Sequence, residues 1–287
     1  MITLQEAFYQ LKNALVAHYD VGEATAISHE LLNHFTGLSK FDRLLHKDQL
    51  LTQHQWQLYT DAQTRLMQGE PLQYITGIGW FMGEAFEVNK QVLIPRPETE
   101  ELVHWMVQEQ KENPSLRLLD IGTGSGCIPI SIKTMLPSSH VTSCDISAEA
   151  ILVAARNAEK MGVEVCFKIV DFLEERNWDD FEQYNVIVSN PPYIPLKEKQ
   201  LLHTNVVDYE PALALFVPDN DPLLFYRKIA RFAQAHLAPD GAVYFEVHQS
   251  MAGDTQKMLL DFFDVVALQK DMSGNDRMIK ATKARLL

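Results

Sequence analysis

The sequence predicts an α/β fold: a mainly parallel sheet with helices on both faces, preceded by a small all-helical segment. Two patterns carry this. From Leu116 onward, apolar runs of strand length alternate with helix-length stretches, as in a sheet whose parallel strands are joined by helical crossovers. Before about residue 75 the apolar residues recur at helical spacing instead. With 287 residues and 46% hydrophobic content, the chain has material for one large domain or two smaller ones around a real core.

In the first segment, Leu4, Phe8, Leu11 and Leu15 mark one helix. Ile27, Leu31 and Phe35 mark a second that opens near Val21-Gly22. A third runs from about Gln53 to Gln68 with Leu58, Ala62 and Leu66 on one face, Thr52 as N-cap, Gly69 as stop and Pro71 beyond. Residues 76–97 read as a β-hairpin linker, with Trp80, Phe81, Phe86 and Val88 around Gly79 and Gly83. A strand at Val92-Leu93-Ile94 follows, ended by Pro95 and Pro97. A helix begins near Glu98 with Leu102, Val103 and Met106 inward.

The alternating region then reads strand 116–121, helix 128–135, strand 141–144, a helix capped by Ser147, strand 163–170 and strand 185–189. Helix 222–236, the turn Pro239-Asp240-Gly241, strand 242–247 and helix 250–262 follow. The last strands, 265–268 and 278–282, have no helix between them and predict an antiparallel hairpin at the sheet edge. The expected domains are 1–75, 76–97 and 98–287.

Net charge is −13, which disfavours a partner held by its phosphate backbone, and no direct nucleic-acid contact is expected. No apolar run reaches the length of a membrane span. Met1 to Gln5 lack the basic-then-apolar pattern of a secretory signal. Cys127, Cys144 and Cys166 have no metal-ligand spacing, sit in apolar stretches and read as buried thiols, which fits a cytoplasmic protein. His18, His29, His34, His46 and His54 are scattered and read as surface or capping residues, so no metal site is expected.

Three groups of residues fall at the ends of successive strands, where open α/β sheets bind ligands. The first is the turn Gly122-Thr123-Gly124-Ser125-Gly126, which allows close approach to its backbone. It lacks both the dinucleotide spacing, since Cys127 stands where a third glycine would, and the Lys-Ser/Thr ending of a phosphate loop. The second is Asp145, which either caps a helix or accepts from two ribose hydroxyls. The third is Asp171-Phe172, which offers an acceptor for an adenine amine and a ring to cover the base. Together they describe an adenosine crevice. Without a phosphate cradle, S-adenosylmethionine fits it better than a dinucleotide.

The fourth strand ends at Asn190-Pro191-Pro192-Tyr193. Neither proline has an N–H, so the stretch is rich in acceptors and poor in donors. The Asn190 side-chain oxygen and the Pro191 carbonyl can accept both hydrogens of one planar NH2 group, with Tyr193 as a flat surface beside it. A plain Pro-Pro turn is the bland alternative. Glu246 reads as a structural carboxylate, and Arg96 with Glu98 as either substrate-orienting or a structural ion pair.

The glycine turn with Asn-Pro-Pro-Tyr after the fourth strand resembles the amino-methylating branch of class I S-adenosylmethionine-dependent methyltransferases. Leu93-Ile94-Pro95-Arg96-Pro97-Glu98-Thr99-Glu100, Glu210-Pro211 and Gly274-Asn275-Asp276-Arg277 narrow this to a resemblance to the HemK/PrmC family, over essentially the whole chain. That resemblance implies a Rossmann-like seven-stranded sheet with an antiparallel edge hairpin, behind a helical domain that recognises the substrate. It implies methyl transfer to the glutamine N5 of the Gly-Gly-Gln motif of class I peptide chain release factors. Gly122 to Gly126 would line the methionine end of the cofactor, Asp145 the ribose and Phe172 the adenine. Asn190 would touch both cofactor and substrate. The alternatives are an N6-adenine methyltransferase on DNA or RNA, a glutamine methyltransferase of a ribosomal protein, and a binding module without turnover.

Overall fold

A computed structural model describes residues 2–285; Met1, Leu286 and Leu287, at the ends of the expected ranges, lie outside the described residues. The chain forms two compact units, one of residues up to Ile78 with His203–Tyr209, the other of Gly79–Leu202 with the chain from Glu210.

The first unit contains α1 (Leu4–Leu15), α2 (Val21–Thr36), α3 (Lys40–Leu45), α4 (Gln53–Met67) and α5 (Leu72–Thr76). Thr3, Asp20, Ser39 and Thr52 cap the first four through side-chain oxygens that accept otherwise unpaired first-turn N–H groups. Leu4, Ala7, Leu11 and Leu15 of α1 pack with Ala24, Ile27 and Leu31 of α2. The buried face of α4 is Tyr59, Ala62 and Leu66, whereas the expected Leu58 is exposed. Tyr59 takes that place because its hydroxyl donates to the Ala7 carbonyl at 2.9 Å, which satisfies the polar end of a buried ring. At six and five residues, α3 and α5 are too short to show a helical period, and the sequence reading missed both. In the same unit, Tyr209 donates to the Gln68 carbonyl at 3.1 Å and Asn205 to the Tyr19 hydroxyl at 3.4 Å.

Next in the chain is the hairpin β1 (Ile78–Phe81) and β2 (Glu84–Glu87), which belongs to the second unit from Gly79 onward. Both turn residues, Met82 and Gly83, have positive φ (51° and 79°), the twist that a two-residue hairpin needs. The hairpin is no free linker: Phe81 and Phe86 are buried with Leu102, Met106 and Ile130. No strand forms at 92–94. The flanking prolines cannot donate to a ladder, and the Ile94 N–H goes to the Glu210 carboxylate at 3.3 Å.

Next come α6 (Pro97–Gln110), β3 (Arg117–Ile121), α7 (Cys127–Met135), β4 (His140–Asp145), α8 (Ala148–Met161), β5 (Cys166–Ile169) and β6 (Tyr184–Ser189). Then follow β7 (Ile194–Pro195), α9 (Thr204–Tyr209, of the first unit), α10 (Ala212–Leu215), β8 (Phe216–Val217), α11 (Leu224–His236) and β9 (Leu237–Glu246). The chain closes with α12 (Ala252–Leu259), β10 (Phe263–Lys270) and β11 (Asp276–Ala284). The seven-stranded sheet has the order β10-β11-β9-β6-β3-β4-β5, with β11 antiparallel to both neighbours and the other pairs parallel. Helices cover both faces, and two apolar clusters, one around Ile187 and Phe232, the other around Leu118 and Val186, form the core.

The strand expected over 163–170 shortens to four residues and is the sheet edge, which leaves Cys166 exposed rather than buried. The Pro239-Asp240-Gly241 turn survives inside β9: Leu237 pairs with Tyr184 and Ala242 with Val186, so the residues between them bulge out of the ladder. Strands β7 and β8 pair in parallel and bring together the two ends of the 196–215 excursion. Among the described residues, no helix is long and apolar enough to cross a membrane.

Candidate active site

Register places the site. Ile121 pairs with Cys144 on one side and Ser189 on the other, and Asp145 pairs with Ile169, so four adjacent strands end level at one edge of the sheet. Ser189 Oγ donates to the Ile121 carbonyl at 2.6 Å, tying the ends of β6 and β3 together. A cavity of about 310 Å³ opens there, lined by Gly122, Gly124, Asp145, Asp171, Phe172, Asn190, Pro191 and Pro192 among others. Residue groups read from the sequence as separate motifs thus share one cavity wall.

The glycine turn divides by function. Gly122 and Gly124 line the cavity with positive φ (89° and 52°). A Cβ on Gly124 would meet nothing within 4 Å, so the open space lies against bare backbone. Gly126 faces the protein: a Cβ there would come within 2.7 Å of Ile130 Cδ1 and 3.0 Å of Ala154 Cβ. The Thr123 hydroxyl is buried beneath the loop against the Ser143 hydroxyl, which donates to Asp120 Oδ2 at 2.6 Å. Thr123, Ser125 and Gly126 therefore shape the turn from below rather than line the cavity.

Asp120, the next-to-last residue of β3, escaped the sequence reading. It is fully buried, and burial pushes its carboxyl up to about 7 against the Ser143 hydrogen bond. Its Oδ1 and Ser125 Oγ are buried without a hydrogen-bond partner among the described residues. Asp145 is not the cap of α8 but a brace for the glycine turn: Oδ1 accepts the Ser147 N–H at 2.9 Å and Oδ2 the Gly124 N–H at 2.9 Å. Ser147 Oγ caps α8 through the Ala150 N–H at 3.1 Å. Burial raises the Asp145 carboxyl and these backbone N–H groups pull it back. Phe172 is held edge-on by Phe181 and Phe232 and tilted against Trp178, so it forms a fixed apolar wall, while Asp171 Oδ1 accepts the Leu173 N–H at 3.0 Å. Carboxylates, bare backbone and an apolar wall around one cavity fit a ligand with an adenosine half and a cationic half.

Asn190 is held from behind. Its Nδ2 donates to Thr99 Oγ1 at 3.2 Å, and Thr99 donates its one hydrogen to Glu246 Oε2 at 2.6 Å. Asn190 Oδ1 accepts no hydrogen bond among the described residues and is left as an acceptor. Thr99 went unnoticed as a site residue, although it lies inside the 93–100 signature. Tyr193 stands beside the cavity rather than on its wall, half-buried with its ring 5.8 Å from His248. Burial, with the Glu246 charge nearby, raises its phenol above the ordinary value, so it stays protonated.

The other signatures build structure around this. Arg96 forms an ion pair with the buried Glu210, which also accepts the Ile94 N–H. In the Gly274–Arg277 stretch, Asp271 accepts from the Asn275 N–H at 2.8 Å and Arg277 Nε at 3.2 Å, which closes the turn between β10 and β11.

The family model described as methyltransferase small domain matches residues 99–209, and that described as PrmC N-terminal domain matches residues 4–77. A release factor glutamine methyltransferase of Flavobacterium psychrophilum is 41% identical over 94% of this chain and 96% of its own. One of Bacteroides thetaiotaomicron is 41% identical over 95% and 98%. Among solved structures, a T. thermophilus 16S rRNA methyltransferase in complex with AdoMet and guanosine shares the fold, with a TM-score of 0.52 at 15% identity over 72% of this chain and 49% of that one. With the class I methyltransferase sheet in place and relatives this similar along nearly their whole length, the chain belongs to the release factor glutamine methyltransferase family.

Proposed function

We propose that this chain transfers a methyl group from S-adenosylmethionine to the side-chain amide nitrogen (N5) of the glutamine in the Gly-Gly-Gln motif of class I peptide chain release factors. The observation that carries this is the Asn190 carboxamide: its nitrogen is tied to Thr99 while its oxygen remains an acceptor on the wall of the adenosine-fitting cavity. The names of the relatives, 41% identical over nearly the whole chain, support the same client.

When bound, S-adenosylmethionine supplies an electrophilic methyl group on a sulfonium. Gly122 and Gly124 would receive its methionine half, Asp145 the ribose, and Asp171 with Phe172 the adenine. Thr123, Ser125 and Gly126 would hold the turn in shape. An amide nitrogen is a poor nucleophile because its lone pair is delocalised into the carbonyl. Asn190 Oδ1 and the Pro191 carbonyl would accept its two hydrogens and fix its face. Holding reactants in place can lower a barrier by about 7–11 kcal/mol in favourable cases. As the nitrogen–methyl bond forms and the sulfur–methyl bond breaks, positive charge grows on nitrogen beside those two acceptors, and its proton leaves to water. Tyr193 and Pro192 would pack against the amide. With its phenol held protonated, Tyr193 acts as a surface and not as a base.

Release factor recognition is assigned to the helical unit, where α3 leaves Phe41, Leu44 and Leu45 exposed at 69%, 64% and 64%. Incubation with labelled S-adenosylmethionine and, separately, a release factor, its Gly-Gly-Gln glutamine variant, ribosomal protein and DNA tests the reading. Label on the intact factor alone is expected. Label on the glutamine variant, or on DNA alone, would overturn it.

A further inference from the structure

We propose that Thr99 and Glu246 are positioning residues for the transfer: hydrogen-bonded in series behind Asn190, they fix which end of its carboxamide faces the substrate amide. The proposal rests on the functional reading above and adds to it two residues outside the cavity wall.

A carboxamide has two ends of nearly equal shape and opposite hydrogen-bonding sense. Only the oxygen can accept a substrate N–H; the NH2 end would repel it. Something must therefore choose between the two orientations, and Asn190 itself cannot. The choice is made one residue back. Thr99, 3% exposed, is the third residue of α6, where no carbonyl of a preceding helical turn competes for its hydroxyl. That hydroxyl has one hydrogen, committed to Glu246 Oε2 at 2.6 Å. Toward Asn190 it presents only lone pairs, so it accepts Nδ2 at 3.2 Å and disfavours the flipped carboxamide, whose oxygen would face another acceptor.

In its ionised form Glu246 sets the sense of the whole series, since a carboxylate can only accept. It sits at the end of β9, 2% exposed, and among the described residues no cation forms an ion pair with it. Arg277 is paired with Asp271 at 3.2 Å and Arg96 with Glu210. Burial raises the Glu246 carboxyl to about 7, while the Thr99 hydrogen bond and the charges of Arg277 and Arg96 favour its ionised form and Glu98 opposes it. A buried carboxylate in this setting is costly to keep unless it serves something. Its side-chain bond is to Thr99, and the bond of Thr99 is to Asn190.

Three variants test this with the full-length enzyme, a release factor and labelled S-adenosylmethionine. Thr99→Val removes the hydroxyl at constant shape. Glu246→Gln allows the series to run backwards, because a carboxamide can donate to Thr99. Thr99→Ser keeps the hydroxyl. The first two are expected to lower kcat by about 10- to 100-fold, the range in which small misplacement of a reacting group acts. KM for the factor and Kd for S-adenosylmethionine should stay within about twofold, and Thr99→Ser should recover most of the rate. The proposal is overturned by unchanged kcat in Thr99→Val or Glu246→Gln, by cofactor affinity falling in step with kcat, or by Thr99→Ser no faster than Thr99→Val. Wild-type enzyme that labels the factor while the variants match it sinks the positioning role alone. Wild-type enzyme that leaves the factor unlabelled sinks the substrate reading and this proposal with it.

Discussion

The Gly124 backbone N–H donates to the Asp145 carboxylate at 2.9 Å, which joins the glycine turn after β3 to the end of β4. One carboxylate thus holds the turn that lines one side of the cavity and is itself part of the wall. Asp145→Ala should therefore act twice, by removing an acceptor for the ligand and by loosening the turn. Hydrogen bonds to charged groups are worth about 1.5–3 kcal/mol, so affinity for S-adenosylmethionine should fall at least about tenfold. Asp145→Asn, which keeps one acceptor oxygen, should fall less. Calorimetric titration with the cofactor measures both, and equal affinity in all three proteins would remove Asp145 from the site.

Asn190→Ala should behave in the opposite manner. It removes an acceptor beside which positive charge is expected to develop on the substrate nitrogen, and the loss of one such group typically costs about 10²–10³ in rate. Cofactor affinity should change by less than about twofold. Asn190→Asp keeps an acceptor, adds a charge and places an acceptor against Thr99 Oγ1, so it should also be slow. Steady-state rates set beside cofactor titrations decide this, and equal losses in both quantities would take Asn190 out of the chemistry.

What could be read from the sequence follows the range of the interactions. The strand-end positions of Gly122, Asp145, Asp171 and Asn190 were legible because strand alternation and turn residues are local signals. The sheet edge at which they meet follows from the same alternation. Asp120 and Thr99 were not legible. One looks like a polar residue near the end of an apolar strand and the other like a helix-start threonine, and their partners lie 23 and 147 residues away. Leu58 reads as core in place of Tyr59 because apolar spacing cannot foresee a tyrosine whose hydroxyl meets a carbonyl 52 residues away.

Two glycines of one turn should respond differently to alanine. At Gly126 a Cβ meets Ile130 and Ala154 at 2.7 and 3.0 Å and the backbone has φ +81°, so crowding and strain add. Overpacking alone costs about 1–3 kcal/mol. At Gly124 a Cβ meets nothing and only the φ of +52° is unfavourable, a cost of roughly 1–2 kcal/mol. Gly126→Ala should therefore show the larger drop in urea midpoint. Gly124→Ala should show the larger loss of cofactor affinity, because its methyl group would enter the cavity wall. Denaturation and binding measured on the same two variants check the inversion.

Asp120 gives the stability a pH dependence of known sign. Its carboxyl titrates near 3.8 when unfolded and at about 7 when folded, so between those values the folded state holds more protons. Stability from this group is fully present below about pH 4 and is lost as pH rises through about 7, by up to about 1.4 kcal/mol per pH unit. Glu246, also raised to about 7, acts in the same direction. Asp271, lowered chiefly by the Asn275 N–H, acts in the opposite one. Asp120→Asn keeps the acceptor for Ser143 and removes the titration. The stability of the variant relative to wild type should climb from pH 4 to pH 7 and level off above it. A parallel pair of stability–pH curves would contradict the buried-carboxyl account.

Arg96 and Glu210 test whether the 93–100 signature serves structure or substrate. The Glu210 side chain is 2% exposed and that of Arg96 is 34% exposed, so the two members of the pair are not equivalent. Arg96→Met leaves a buried carboxylate with the Ile94 N–H at 3.3 Å as its remaining partner, and an unpaired buried charge costs about 3–5 kcal/mol. Glu210→Gln keeps an acceptor for that N–H and leaves an arginine that water can reach, so it should cost about 1 kcal/mol. The double variant should be less damaged than Arg96→Met alone, because it removes the stranded charge. Urea denaturation of the three variants measures this asymmetry. If Arg96 instead served only to hold the substrate, Arg96→Met would keep wild-type stability and raise KM for the release factor.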